Sequence, residues 1–313
     1  MVSYPAGMVA VEVVDAPGNG IADDVLDLAG RSATVDGYTF LSDHLRLDLT
    51  SDGGPPLVAR AVDDGTLVAY AQASTAQSGW IVESTVDPAL RPQDASLHER
   101  LVRALLDHLA RHDPGATVTW WTHDAGDAEA ALASSLGLTL DRELLQMSRS
   151  LPVERTSSVA TRDFDVGRDE QAVLDVNNRA FATHGEQGGW TIETMAQRER
   201  ESWFDAHGLR LHERDGRLAA FCWTKLHRDA SGERDEAGEI YVIAVDPDFR
   251  GLGLGSELTL AGLESIHGRG VTSALLYVDA ANTAAVAMYE RLGFDVSRRD
   301  RACSAILGGD DRH

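Results

Sequence analysis

Positive charge is scarce in this sequence. Its 313 residues include 28 Lys and Arg against 50 Asp and Glu, which gives a formal net charge of -22. Nucleic acids and anionic membrane surfaces are bound through clusters of Lys and Arg, so the charge balance disfavours both as partners. A large negative charge favours solubility and does not specify a substrate.

Long apolar runs and cysteines are also scarce. No stretch of about 18 apolar residues occurs, so no membrane-spanning helix is predicted. The two cysteines, Cys222 and Cys303, are too few for a disulfide framework or a thiolate metal site. The amino-terminal segment lacks the basic start, apolar core and cleavage site of a secretory signal. We therefore expect a cytoplasmic protein.

A weak internal repeat is present. Both halves contain, in the same order, an apolar strand-like run, a loop, a helical stretch, a second strand, a short helix and a Leu-Gly turn. Asp246 follows Asp87 by 159 residues and Gly293 follows Gly137 by 156, so the copies run nearly in phase. The segment 151–160 has the Pro, Ser and Thr content of a linker. The sequence predicts two similar domains, 1–152 and 160–313.

The hydrophobic periodicity within each half indicates mixed layers. Leu101, Leu105 and Leu109 recur at helical spacing, whereas Tyr241, Ile243 and Val245 alternate as in a strand. Helical and strand-like segments of this kind alternate along both halves. The predicted fold class is α/β with a mixed sheet, present twice in tandem.

A glycine-rich loop lies between a strand that ends near Asp246 and a helix. It consists of Arg250, Gly251, Leu252, Gly253, Leu254, Gly255 and Ser256. A pyrophosphate held by backbone N–H groups requires residues with little side chain, followed by a helix amino terminus. Ser256 stands where the third glycine of the dinucleotide fingerprint belongs, and no GK[ST] of a Walker loop follows. The loop therefore predicts phosphate binding of another kind.

The Arg-x-x-Gly-x-Gly pattern resembles the acyl-CoA loop of the GNAT N-acetyltransferases. A second feature supports the resemblance, since the strand ALLYVDA is followed by Asn282, a short helix with Tyr289, and the turn RLGF. The resemblance implies acetyl-CoA as co-substrate, with Asn282 on its arm and Tyr289 facing its sulfur. Further implied acetyl-CoA contacts are Ile243, Ala244, Val245, the loop Arg250 to Ser256, Thr283, Ala284, Ala285, Val286 and Ala287.

Direct acyl transfer to an amine needs three groups. A base must neutralise the amine, an acid must protonate the departing thiolate, and an N–H must stabilise the developing oxyanion. Glu239, at the start of the cofactor strand, is the candidate base and Tyr289 the candidate acid. The strand around Ile243 to Val245 supplies amides. No metal is required, and no metal-ligand motif such as HExxH is present.

The corresponding loop of the first half differs. It consists of Arg91, Pro92, Gln93, Asp94, Ala95 and Ser96, without glycine. Pro92 removes an N–H and Asp94 repels phosphate, and the first half has no tyrosine that matches Tyr289. We expect the first domain to be non-catalytic and to bind CoA poorly.

Longer segments resemble the mycothiol synthases, which are tandem GNAT proteins. The segments are NNRAFATHGEQGGWT (177–191), ESWFDAHGL (201–209), FCWTKLH (221–227) and GEIYVIAVDP (238–247). The resemblance implies acetylation of the cysteinyl amine of cysteinyl-glucosaminyl-inositol. It also implies substrate contacts from Asp43, Glu186, Lys225, Glu239 and Tyr277. Gly185 departs from the family pattern, which has proline there.

Two other interpretations remain open. The chain could be a tandem GNAT enzyme for another small amine, such as an aminoglycoside or a polyamine. It could also be a non-catalytic acyl-CoA-binding module, which would not need Tyr289 or a base. A monomer is expected, because the tandem repeat already supplies an internal pair of domains.

Overall fold

The computed structural model describes residues 9–51, 53–76, 79–182, 188–201, 203–228 and 235–308, without the side chains of Asp43, Arg228, Asp235 and Glu236. The chain forms two compact units. Unit 1 consists of Met1–Glu143 and Arg298–His313, and unit 2 consists of Leu144–Ser297. Among the described residues, no helix combines the length and the apolar character that crossing a bilayer requires.

Unit 1 is a mixed sheet with helices on its faces. Its strands are β1 (Val11–Asp15), β2 (Leu57–Asp63), β3 (Thr66–Ala76), β4 (Gly79–Val86), β5 (Thr117–Thr122) and most of β12 (Asp295–Ile306). Its helices are α1 (Ala22–Asp36), α2 (Asp43–Thr50), α3 (Leu97–His112) and α4 (Asp127–Ser135). The strand order is β1-β2-β3-β4-β5-β12, and only the β4–β5 pair among these strands is parallel.

Unit 2 repeats this plan. Its strands are β6 (Thr139–Ser150), β7 (Arg162–Asp163), β8 (Leu209–Arg214), β9 (Arg217–Arg228), β10 (Asp235–Val245) and β11 (Ser273–Asp279). Its helices are α5 (Glu170–Ala180), α6 (Ile192–Glu199), α7 (Leu254–Gly268) and α8 (Thr283–Arg291). The strand order is β7-β8-β9-β10-β11-β6, and the β10–β11 pair is the parallel one.

Helix α3 shows how the sequence pattern produces the packing. Leu101, Leu105 and Leu109 are buried along one face of this helix, as their spacing predicts. They belong to the core of unit 1 together with Val82 of β4 and Trp120 of β5. The amphipathic stripe therefore fixes α3 against the sheet.

The closing strand of each unit comes from the other half of the chain. In unit 1, β12 pairs with β5 from Arg301 opposite Thr122 to Ile306 opposite Thr117. In unit 2, the segment 144–150 of β6 pairs with β11. The structural division therefore differs from the predicted boundary at 152–160, because strand pairing joins segments that are distant in the sequence and that local composition does not identify.

Candidate active site

An opening between two parallel strands lies at the centre of unit 2. Strands β10 and β11 pair at Gly238, Glu239 and Ile240, and their pairing ends at Ile240 opposite Leu276. Within the described chain, β10 nevertheless continues to Val245 beside β9, and β11 continues to Asp279 beside β6. Alternate residues of 241–245 therefore direct their N–H and C=O groups into the opening, where a ligand can pair with them.

A β-bulge changes which residues of β10 share a face. The register with β9 shifts between Ile240 and Val242. As a result Ile240, Ile243 and Val245 pack in one core cluster, whereas Tyr241 packs in another. The prediction that Tyr241, Ile243 and Val245 belong to a strand is confirmed. The extra residue reverses the side-chain parity, so Tyr241 lies on the opposite face from Ile243 and Val245.

The glycine-rich loop has the backbone that a phosphate cradle requires. Gly251 and Gly253 have φ angles of 79° and 75°, a left-handed conformation that strains residues with a Cβ. Gly253 caps α7, so the free N–H groups and positive dipole end of that helix follow directly. The side chain of Arg250 is exposed and donates to the Ala180 carbonyl at 3.2 Å. These features fit a pyrophosphate.

The loop forms one wall of a cavity of about 330 Å³, and α8 forms the opposite wall. A Cβ at Gly255 would lie 3.3 Å from the Met288 sulfur, so α7 and α8 approach closely. The lining residues are Val245, Phe249, Arg250, Gly251, Gly253, Leu254, Gly255, Ser256, Ala284, Met288 and Arg291. The structure thus brings predicted cofactor residues from all three segments to one cavity.

Asn282 and Tyr289 occupy the two ends of α8. Asn282 caps the helix, because its side-chain oxygen accepts the Ala285 N–H at 3.2 Å. Its amide NH2 is then the group left for a ligand. Tyr289 is 5% exposed and packs edge-on against Phe294, and its hydroxyl makes no hydrogen bond with the described residues. Burial raises the pKa of Tyr289, which keeps the hydroxyl a proton donor.

Glu239 lies opposite Lys225 on the adjacent strand. The two are direct cross-strand partners in the β9–β10 ladder, so their side chains share one face of the sheet. Glu239 is only 7% exposed. Its Oε2 atom lies 2.7 Å from Nε2 of His227, which also comes from β9. The carboxylate therefore contacts one basic side chain and shares its face of the sheet with another.

Aromatic rings cover the same face. The ammonium of Lys225 lies 5.0 Å from the ring centroid of Trp203 and 5.7 Å from that of Tyr241, within the range of a cation–π contact. Arg198 of α6 donates to the Tyr241 hydroxyl at 3.3 Å and lies over Trp190. Lys225 is also the only lysine in the sequence. We call Lys225, His227, Glu239, Tyr241 and Trp203 the basic-aromatic face.

The remaining predicted substrate residues are less fully described. Tyr277 of β11 is exposed, and its hydroxyl donates to the Gln146 side chain at 3.2 Å. Asp43 begins α2 in unit 1, with its side chain outside the description. Glu186 lies outside the described residues.

Sequence reasoning did not single out His227, Tyr241 or Trp203. His227 follows Lys225 by two residues in a strand, and this spacing places both on the same face. That spacing was the available signal for His227. Trp203 lies within the family-like segment 201–209, but nothing local indicates that its loop approaches β10, since the two meet only in the folded chain.

In the corresponding loop of unit 1, residues 91–96, the charged side chains form ion pairs within the unit. Both terminal nitrogens of Arg91 contact the Asp36 carboxylate at 2.7 Å. Asp94 pairs with Arg100 at 2.5 Å. These ion pairs occupy the basic groups that a phosphate would need. The non-catalytic role of the first domain stays a prediction.

Comparison with known proteins agrees with this geometry. Residues 172–294 match the acetyltransferase (GNAT) family, a range that includes β10, the loop and α8. A mycothiol acetyltransferase from Thermobispora bispora is 43% identical over 295 residues, which cover 91% of this chain and 96% of that protein. The chain belongs to the mycothiol acetyltransferase family. A second mycothiol acetyltransferase, from Acidimicrobium ferrooxidans, is 38% identical over 94% of this chain and 96% of its own length.

Two solved structures have the same fold as this chain. A GCN5-related N-acetyltransferase from Sphaerobacter thermophilus covers 99% of both chains at 22% identity, with a TM-score of 0.69. A tandem GNAT protein from the clavulanic acid biosynthesis pathway, solved without acetyl-CoA, covers 96% of this chain and 100% of its own at 17% identity, with a TM-score of 0.63. The predicted tandem GNAT fold class is confirmed.

Proposed function

We propose that unit 2 transfers an acetyl group from acetyl-CoA to the cysteinyl amine of cysteinyl-glucosaminyl-inositol. The observation that carries this proposal is the position of Glu239, beside Lys225 and at the point where β10 and β11 separate. The relatives named mycothiol acetyltransferase support the acceptor. The structural features of the loop support the donor.

The donor is held by backbone more than by side chains. The N–H groups of the loop Arg250–Ser256 and of the first turn of α7 bind the pyrophosphate. The Asn282 amide and the helical segment Thr283–Ala287 contact the pantetheine arm. The free edge of β10 at Ile243–Val245 pairs with the arm and places the thioester between the diverging strands. This edge also offers an N–H to the oxyanion.

Glu239 and Tyr289 then handle the protons. Glu239 takes a proton from the acceptor ammonium, and the neutral nitrogen attacks the thioester carbonyl to form a C–N bond. As the C–S bond breaks, the Tyr289 hydroxyl protonates the departing sulfur, and the tyrosinate regains the proton that the nitrogen loses. One proton reaches solvent for each acetyl group transferred.

Polar side chains on the same face are suited to a sugar–inositol acceptor. Lys225 donates hydrogen bonds to hydroxyl groups, and Tyr277 can donate and accept. Asp43 and Glu186 are proposed as further contacts on the family resemblance alone. Carboxylates and a lysine together provide the charge-assisted hydrogen bonds that orient a polyol.

Acetyl transfer tests the proposal directly. Purified protein is mixed with acetyl-CoA and cysteinyl-glucosaminyl-inositol, released CoA thiol is followed against a blank without acceptor, and the product is identified by mass. Glu239→Gln should lower kcat by about 10²- to 10⁴-fold. Glu213→Gln, on the exposed end of β8, is the matched control and should keep full activity. Release at the blank rate while acetyl-CoA binds would remove this acceptor and point to the aminoglycosides or polyamines.

The single lysine gives an independent test of the acceptor site. Reductive methylation modifies primary amines, and Lys225 and the chain amino terminus are the two present in this sequence. Saturating cysteinyl-glucosaminyl-inositol should slow modification of Lys225 and leave the amino terminus unaffected. Equal rates of Lys225 modification with and without the acceptor would show that Lys225 does not lie in the acceptor-binding site.

A further inference from the structure

One oxygen of the Glu239 carboxylate has a hydrogen-bond partner among the described residues. Oε2 lies 2.7 Å from Nε2 of His227. An ionised carboxylate can only accept a hydrogen bond, so Nε2 of His227 carries the proton and donates it. The arrangement leaves Oε1 as the oxygen that can face an acceptor amine.

The strand ladder holds this pair in place. His227 is opposite Ala237 and Lys225 is opposite Glu239 in the β9–β10 register. His227 and Lys225 therefore lie on the same face of β9, two residues apart. His227 contacts the carboxylate, whereas the Lys225 ammonium lies against Trp203 and Tyr241. The histidine side chain is 37% exposed, whereas that of Glu239 is 10% exposed. The histidine thus connects a buried carboxylate to solvent.

We propose that His227 is a positioning residue for acyl transfer, which fixes the Glu239 carboxylate with Oε1 towards the amine. This inference rests on the proposed function of Glu239 as base. It assigns His227 a part in the reaction beyond satisfying a buried carboxylate.

Other charged or titratable groups contribute to the same face. Among the described side chains they are Lys225 from β9, Tyr241 from β10 and Arg198 from α6. The described hydrogen bond to Oε2 of Glu239 comes from His227 and from none of these three side chains. A change in kcat on replacing His227 therefore reports the histidine rather than its neighbours.

Two substitutions separate the hydrogen bond from the charge. Glutamine keeps an N–H donor and never becomes cationic, whereas alanine removes both properties. We expect H227A to lower kcat by about 10- to 100-fold and to leave the KM for acetyl-CoA unchanged. This loss is part of the rate enhancement that a positioned general base provides. H227Q should recover kcat to within about threefold above neutral pH, since its hydrogen bond is worth most of the positioning.

The split between kcat and KM carries the decisive signature. A donor that positions the carboxylate should change kcat and leave the KM for acetyl-CoA unchanged, and the N–H of H227Q should restore most of kcat. A purely structural histidine would lower the rate only in proportion to the fraction of folded protein, which thermal melting measures.

The chain offers a matched histidine. His207 contacts the Asp163 carboxylate at the same 2.7 Å, through Nδ1, at an exposed position outside the basic-aromatic face. H207A should keep the wild-type kcat. An equal loss of kcat in H207A and H227A, or a wild-type rate in H227A, would overturn the proposal. If H227A fails to fold, H227F, which keeps a ring of similar size without the N–H donor, decides the question in its place.

A measurement without acceptor distinguishes failure of this inference from failure of the proposed function. The Nε2–H signal of His227 is followed by NMR in the wild-type protein and in E239Q. Loss of the carboxylate should move this signal upfield and speed its exchange with water, because the N–H loses a charged acceptor. If the wild type does not acetylate the acceptor, the proposed function fails, and the NMR signal still shows whether the pair exists. An unchanged signal overturns the pair itself.

Discussion

Lys225 and Glu239 face each other across β9 and β10 as direct cross-strand partners. Lys225 is the only lysine in the chain, and the other 27 of the 28 Lys and Arg residues are arginines. Its ammonium lies against Trp203 and Tyr241. A sequence that otherwise uses arginine in preference to lysine has a compact ammonium on the strand face of the candidate base.

Replacing Lys225 by arginine should impair acceptor binding. A guanidinium is planar and larger, so it does not reproduce a point donor that lies against the Trp203 and Tyr241 rings. Loss of a charged hydrogen bond costs about 1.5 to 3 kcal/mol, and we expect K225R and K225M to raise the acceptor KM by about 10- to 100-fold. Steady-state kinetics with each substrate varied in turn checks this. An equal rise in the KM for acetyl-CoA would place Lys225 at the donor instead.

Replacing Gly253 by alanine should weaken acetyl-CoA binding as well as the fold. Gly253 has a φ of 75°, and no heavy atom lies within 4 Å of the position that an alanine methyl group would take, so the cost is backbone strain of about 1 to 2 kcal/mol. Gly270, with a φ of 86° and equal space but outside the cavity, is the control. Both variants should lose similar stability in urea unfolding. Calorimetry should show weaker acetyl-CoA binding for G253A alone, and equal affinities would argue against the loop.

Replacing Tyr289 by phenylalanine should slow the reaction without unfolding the protein. The ring packing against Phe294 survives, and the hydroxyl makes no hydrogen bond with the described residues. We expect kcat to fall by about 10²-fold, as for loss of a general acid. Because burial raises the pKa of Tyr289, the hydroxyl stays protonated to higher pH than that of an exposed tyrosine. The ratio of the wild-type kcat to the kcat of Tyr289→Phe should therefore stay constant between about pH 7 and 10. A ratio that falls as the pH rises would contradict this prediction.

Unit 1 should lose stability on mild acidification through His98. Burial lowers the pKa of His98 from 6.5 to about 4, and its Nε2 lies 2.8 Å from the Ser84 hydroxyl. The unfolded chain therefore binds a proton between these pH values that the folded chain does not bind. Stability falls as pH drops from 6.5 to about 4, by about 2 kcal/mol for a partly screened group.

Unfolding in urea, followed by tryptophan fluorescence, measures this loss. Trp120 packs edge-on against His98 in unit 1 and contributes to the signal. Glutamine at position 98 keeps an acceptor for the Ser84 hydroxyl and cannot be protonated. In His98→Gln the free energy of unfolding should therefore change less with pH than in the wild-type protein. The same slope in both proteins would show that other groups cause the acid sensitivity.

The closing strand of unit 1 can be tested by complementation. Residues 298–308 include Cys303 and Leu307, which are buried in the unit 1 core. A fragment 1–143 should unfold without a cooperative transition, and a peptide 298–308 should restore the transition in circular dichroism. A peptide whose apolar alternation is shifted by one residue is the control, because it turns the wrong side chains inward. Cooperative unfolding of 1–152 alone would favour the boundary that the sequence predicts.

Several features follow from the sequence because they depend on nearby residues. The spacing of Leu101, Leu105 and Leu109 determines the buried face of α3. The glycines at 251 and 253 allow the left-handed turns of the loop, whose position before a helix is also local. The tandem repeat and the acyl-CoA pattern could be predicted for the same reason.

Other features depended on contacts between distant segments. The parity change at the bulge in β10, the approach of Trp203 to Lys225, and the carboxylate held by His227 arise when strands and loops meet. The exchange of closing strands is of the same kind, since any strand of suitable pattern offers the same backbone donors and acceptors to an edge. The sequence by itself determined the elements, the loop and the family pattern. Only the tertiary structure decided which strand closes each sheet and which groups surround Glu239, because hydrogen-bond pairing and side-chain packing are settled among all the segments at once.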